Sequence, residues 1–259
     1  MMLSALQTGL TLGSGAAVGF SLALVGGGGS ILAVPALLYL VGIGDTHMAI
    51  GTSALAVSVN AFANLVQHAR RGTVKWRCAA VFAASGITGA AIGAQIGKAV
   101  DGRALVLAFA AVMVAVGLAM LRPQAAGGDP AVRLNAGIAV KLVGLGLLTG
   151  LVSGFFGIGG GFLIVPGIML GSGMPMLNAI GSSLFAVGTF GLTTAASYAA
   201  SGLIDWTVAG LFIAGGLAGG LVGTRLAVKA AAKRGLLNKI FAAMIFLVAA
   251  YVVWRTLLP

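Results

Sequence analysis

GGGGSILAVP, residues 26–35, interrupts a long apolar run with four consecutive glycines, and GIGGGFLIVP, residues 157–166, repeats the interruption. Glycine loses the most freedom on folding and holds a helix poorly. A shift of 131 residues lays Gly26, Gly28, Gly29, Leu32, Val34 and Pro35 on Gly157, Gly159, Gly160, Leu163, Val165 and Pro166. One residue is then lost. At a shift of 130, Ala49, Ile50, Gly51 and Ser53 meet Ala179, Ile180, Gly181 and Ser183. Further on, Gly72, Trp76, Gly86, Gly89 and Gly93 meet Gly202, Trp206, Gly216, Gly219 and Gly223. Abundant glycine explains some coincidences, but not paired tryptophans and prolines in the same register. The chain reads as an internal duplication. Residues 1–121 form the first repeat, the polar stretch RPQAAGGDPAVRL at 122–134 the linker, and 135–259 the second repeat.

Composition fixes the solvent around this duplication. Soluble domains carry roughly 25% charged residues. This chain of 259 residues has 7%, with 59% hydrophobic residues and a mean hydropathy of +1.11. Such a surface belongs in lipid. Apolar segments of helix length, without strand-like alternation, exclude a β-barrel. Spanning segments must then be helices, since lipid leaves no open backbone group satisfied. The expected fold is an all-α polytopic membrane protein. Helical segments are expected over roughly 4–25, 30–43, 48–69, 76–97 and 103–121, and again over 136–156, 161–171, 178–199, 206–227 and 237–257. Most exceed the ~20 residues that a crossing needs. The segment after each glycine run does not: 14 residues reach about 21 Å against a hydrocarbon core of about 30 Å. The N-terminus lacks a basic n-region and reads as the start of the first helix.

The net charge of +11 sits in short loops between apolar segments, which fits the positive-inside rule and gives no reason to expect nucleic acid. If the repeats are inverted, twelve basic residues share the face of Arg70, Arg71, Lys75 and Arg77, leaving Lys98, Arg103 and Arg255 on the other. If they are parallel, the bias nearly vanishes. Inverted repeats are therefore expected, with the Arg70–Arg77 face cytoplasmic and both termini outside. Cys78 is the only cysteine, so no internal disulfide forms. Two histidines and no acid inside the spans leave no metal ligand set, and no cofactor is expected.

The glycine clusters divide by rhythm. SGITGAAIGAQIG at 85–97 and AGGLAGGLVG at 214–223 recur at three- and four-residue spacing, the pattern of close helix packing. Four adjacent glycines have no face. They lack the lysine and Ser/Thr of a P-loop and favour unwound backbone, tolerated at depth only where it lines a cavity. Each following helix would offer free N–H groups and a positive dipole end near the midplane, a site for an anion without a charged side chain. Along 48–69, Ser53, Asn60, Asn64 and Gln67 fall within about 60° of one another, with His68 about 40° further. The second repeat carries Ser183, Thr194, Ser197 and Tyr198 there, with Phe190 in place of Asn60. This face either lines a pathway or bonds neighbouring helices. His68 is either a proton relay or an interface residue. His47 and Asp45 are expected in a solvated outer loop. Trp76 and Trp206 are expected to anchor opposite interfaces.

The glycine–proline blocks, followed by MAIGTSALAVSVNAFANLVQHARRGTVKW at 48–76, resemble the TauE/SafE-type sulfite and organosulfonate exporter family over nearly the whole chain. The resemblance implies a permease for small sulfur-containing anions in the cell inner membrane. It maps anion binding onto Gly27, Gly28, Gly29, Ser30, Thr52, Ser53, Gly159, Gly160, Gly161, Ser182 and Ser183. The polar helix face adds Asn60 and Asn64 as binding residues, with Gln67, His68, Thr194, Ser197 and Tyr198 along the pathway. The expected partners are the anionic substrate, the bilayer and, optionally, further copies of the chain. Two other classes stay open. One is a channel or facilitator for other small oxyanions or carboxylates. The other is an intramembrane enzyme using Ser30 or Ser53 with His68.

Overall fold

The computed structural model describes residues 4–121, 128–129, 131–156, 161–231 and 236–257. Among these residues there are helices and no strands. In the first half of the chain α1 spans Ala5–Val25. A short helical segment, α2, covers 26–41. Then come α3 at Thr46–Arg70, α4 at Trp76–Lys98 and α5 at Gly102–Leu121. The second half runs α6 at Ala136–Phe156, α7 at Gly161–Ser172, α8 at Met176–Ala199, α9 at Trp206–Ala231 and α10 at Leu236–Leu257. Helices α1, α3, α4, α6, α8 and α9 are long and apolar enough to cross a membrane. The bands of exposed Leu6, Val140, Leu148, Leu170 and Leu247 suit lipid rather than water. Both Trp76 and Trp206 are exposed at the starts of α4 and α9.

Helix starts follow from short polar side chains. Ser4 and Gln7 form a reciprocal capping box on α1. All four acids of the chain lie in loops and spend a carboxylate oxygen on backbone N–H groups. Asp45 accepts from His47 and Met48, Asp101 from Arg103 and Ala104, Asp129 from Ala131, and Asp205 from Thr207 and Val208. Asp45, Asp101 and Asp205 cap helix starts and Asp129 holds a turn ahead of Ala136, which leaves no carboxylate within a span.

Packing repeats between the halves. Helix α1 lies on α9, and its counterpart α6 lies on α4. Gly15 of α1 meets Phe212 of α9, and Gly19 meets Gly216; in the other pair Gly146 meets Phe82 of α4, and Gly150 meets Gly86. A Cβ on Gly19 would fall on the Gly216 backbone, so these crossings exist only because no side chain intervenes. The partners in each pair run the same way: Ala16 is level with Gly219 and Phe20 with Gly223, and Ala90 is level with Gly154. At the centre α3 and α8, equivalent helices, run in opposite directions. Gly51 lies beside Tyr198, Ser58 bonds the Gly188 carbonyl at 2.6 Å, and Gly181 lies beside Thr73.

Segment α2 departs from expectation. Its glycines are not unwound: Gly26–Leu32 is a 3₁₀ helix, Ala33–Pro35 an α turn, and Ala36–Val41 a π helix. Glycine permits the tight 3₁₀ winding. Pro35 removes one N–H from the ladder, and the winding widens directly after it. Gly42 then ends the segment at φ +84°.

Candidate functional site

The first glycine turn is a junction of three helices. Gly26 terminates α1 at φ +67°, a conformation that suits glycine. The Gly27 N–H donates to the Ser183 hydroxyl of α8 at 3.2 Å. Ser183 in turn donates to the Ile180 carbonyl at 2.8 Å. Ser30 donates to the Gly27 carbonyl at 2.7 Å. Gly29 lies so close to the backbone of Ser21 and Leu22 that a Cβ would overlap them. Val165 of α7 closes the third side at Gly26. Gly26, Gly27, Gly29, Ser30 and Ser183 are all buried. Gly28 lies within the turn. In the second repeat, Gly159 and Gly160 lie outside the described residues, and Gly161 is the first residue of α7.

Breaking α1 here strands its last carbonyls. Gly27 is the residue whose N–H would have bonded Ala23 had α1 continued, but that N–H points to Ser183. His68 supplies the replacement: its Nε2 lies 3.0 Å from the Ala23 carbonyl, which only accepts, so Nε2 carries the proton. Nδ1 lies 3.0 Å from the Thr73 hydroxyl. His68 is fully buried and holds the broken end of α1.

Thr52 and Ser182 occupy the same repeat position and do the same work. Thr52 accepts from the Asp205 N–H at 2.9 Å, and Ser182 accepts from the Lys75 N–H at 2.8 Å. Each ties its helix to the loop that starts a helix of the opposite half. Both are expected to touch substrate, and in this structure each hydroxyl accepts a hydrogen bond from a loop N–H. Ser53 is buried and donates to the Ile50 carbonyl at 2.9 Å.

The polar face of α3 points at α1 and α9. Asn64 donates to the Gly19 carbonyl at 3.3 Å, accepts from Gln67 at 3.4 Å, and lies against Gly220. Asn60 lies against Gly216 at 1% exposure, and neither its amide nitrogen nor its amide oxygen has a partner. In the second repeat Phe190 fills the matching place, stacked on Phe82 with centroids 6.2 Å apart and lying against Gly86. Thr194 is buried with an unpartnered hydroxyl. Ser197 accepts from Gln95 at 3.2 Å. Tyr198 is fully buried with an unpartnered hydroxyl, 6.4 Å from the His47 ring. His47 is not a loop residue: it is in the first turn of α3 and half-buried.

Of the buried polar residues that escaped the sequence reading, three bear on this site. Thr73 and Ser58 gain their roles only from a loop and a helix that the fold brings together. Ser153 of α6 is buried and unpartnered, and its place just before the second glycine run was the one available hint. Among the described residues no group of three or more His, Cys, Asp or Glu could hold a metal. Ser30 and Ser53 bond carbonyls, and both His68 nitrogens are engaged elsewhere, so the nucleophile–base pair of an enzyme is not assembled. Two cavities, of about 180 and 430 Å³, open at the far end of α2 around Ile43 and Gly44, one reaching Asp45 and Asp205, the other Arg103.

Residues 11–252 match the model of a family described as sulfite exporter TauE/SafE. A probable membrane transporter protein of Xylella fastidiosa (strain 9a5c) is 52% identical over 252 residues, covering 95% of each chain. The probable membrane transporter protein YunE of Bacillus subtilis (strain 168) is 27% identical over 78% of this chain and 82% of its own. One of Haemophilus influenzae (strain ATCC 51907 / DSM 11121 / KW20 / Rd) is 29% identical over 73% and 72%. No solved structure matches.

Proposed function

The chain belongs to the TauE/SafE sulfite exporter family, a multi-pass membrane transporter, and from that premise we propose that it carries small sulfur-containing anions such as sulfite or an organosulfonate. The inner membrane is the proposed location. The observation that carries the reading is the buried glycine turn at Gly26–Ser30. It brings backbone N–H groups to depth, beside Ser183 and without any acid within the spans. An anion there would take the Gly27 N–H from Ser183 and accept the Ser183 hydroxyl proton, both interactions strengthened by its charge.

We read the two halves as inverted repeats, each contributing one glycine turn. The opposed directions of α3 and α8 and the matched α1–α9 and α6–α4 crossings support this reading. Gly159–Gly161 would be the second half-site. Asn60 and Asn64 would line the approach from the α1–α9 side.

The test is sulfite efflux from proteoliposomes. Gly28→Leu, which fills the turn, and Ser183→Ala, which removes its hydroxyl, are each expected to cut the initial rate at least tenfold in folded protein. Wild-type rates in both variants would overturn the assignment.

A further inference from the structure

We propose that Lys98, Tyr198 and His47 form a second small-anion site, at the end of the α3–α8 pair remote from the Arg70–Arg77 loop. Three helix ends meet there: the first turn of α3, the last turn of α4 and the last turn of α8. Lys98 Nζ lies 5.9 Å from the centroid of the Tyr198 ring. It donates to the Ser197 carbonyl at 3.4 Å and the Ser201 hydroxyl at 3.2 Å. Both are neutral oxygens, and among the described residues they are its hydrogen-bond partners, so its charge is unpaired.

Two polar atoms on the adjoining Tyr198 and His47 rings are buried without a partner. The Tyr198 hydroxyl belongs to a side chain with 0% exposure, and the His47 Nδ1 is buried likewise. The two rings stack 30° apart in tilt at 6.4 Å. A buried hydroxyl and imidazole nitrogen without a partner are costly, and a bound anion would satisfy both. An ammonium with a spare N–H, a phenol O–H and an imidazole N–H suit a small oxyanion. Tyr198 is also the repeat equivalent of His68, which secures the broken end of α1. One repeat thus uses this position for structure, and the other leaves it free to bind.

The site is separate from the glycine turn and stands without it. Sodium sulfite and sodium sulfate are titrated calorimetrically into the purified full chain, with sodium chloride as control. Wild type is expected to bind both oxyanions more tightly than chloride. Lys98→Gln and Tyr198→Phe are each expected to weaken one binding event about tenfold or more. Ser183→Ala is expected to leave that event intact, even where it abolishes flux, which separates this site from the glycine turn. Unchanged binding in either Lys98→Gln or Tyr198→Phe overturns the proposal, as does no oxyanion binding to wild type. Competition by phosphatidylglycerol vesicles would assign the site to a lipid phosphate and overturn the free-anion claim.

Discussion

Asn60 is the residue whose burial packing alone explains least. A buried amide with neither atom paired costs roughly 1–3 kcal/mol on mutational scales, and Phe190 shows that the equivalent site accepts an apolar ring. Asn60→Leu is therefore expected to leave the thermal midpoint in detergent unchanged or raised while sulfite efflux falls at least tenfold. Full efflux in that variant would remove Asn60 from the pathway. The amide face was legible in the sequence because a 3.6-residue period alone puts Asn60, Asn64, Gln67 and His68 together. The destination of His68 was not. Its partners, Ala23 and Thr73, come from a helix end and a turn whose meeting no local pattern encodes.

At the scale of elements, the same hydroxyl position ties each central helix to the opposite half. Thr52→Val and Ser182→Ala each orphan one backbone N–H at the edge of the fold. Each is expected to destabilise by about 1 kcal/mol, read as a lowered thermal midpoint. A drop in only one of them would break the equivalence of the two ties. Helix ends were legible wherever a short polar residue precedes an apolar run, as at Ser4, Asp45 and Asp205. The winding of α2 was not. Adjacent glycines permit unwound and 3₁₀ backbone alike, and the packing of Gly29 on Ser21 and Leu22 selects the second. The role of Thr52 and Ser182 was hidden for a related reason: the N–H groups they accept from lie 153 and 107 residues away.

For the whole molecule, paired tryptophans and prolines carry the reading of a duplication, and the placement of charge carries the proposed inversion of its halves. Inversion puts Arg70 and Ala200, equivalent exposed positions, on opposite sides of the membrane. In a Cys78→Ser background, Ala200→Cys is expected to react with an impermeant maleimide on intact cells. Arg70→Cys is expected to react only after permeabilisation. Labelling of both from the same side would overturn the inversion. One further consequence belongs to the aspartates. All four lie in loops, three of them at helix starts and Asp129 in a turn, so no span carries an acid to take up a proton. An anion that crosses alone then delivers its charge to the membrane field, about 2.3 kcal/mol for each charge and each 100 mV. In a cell negative inside, that work points outward. Under the proposed function the resting voltage would drive the anion out, and a potassium diffusion potential imposed in the efflux assay is expected to set its rate.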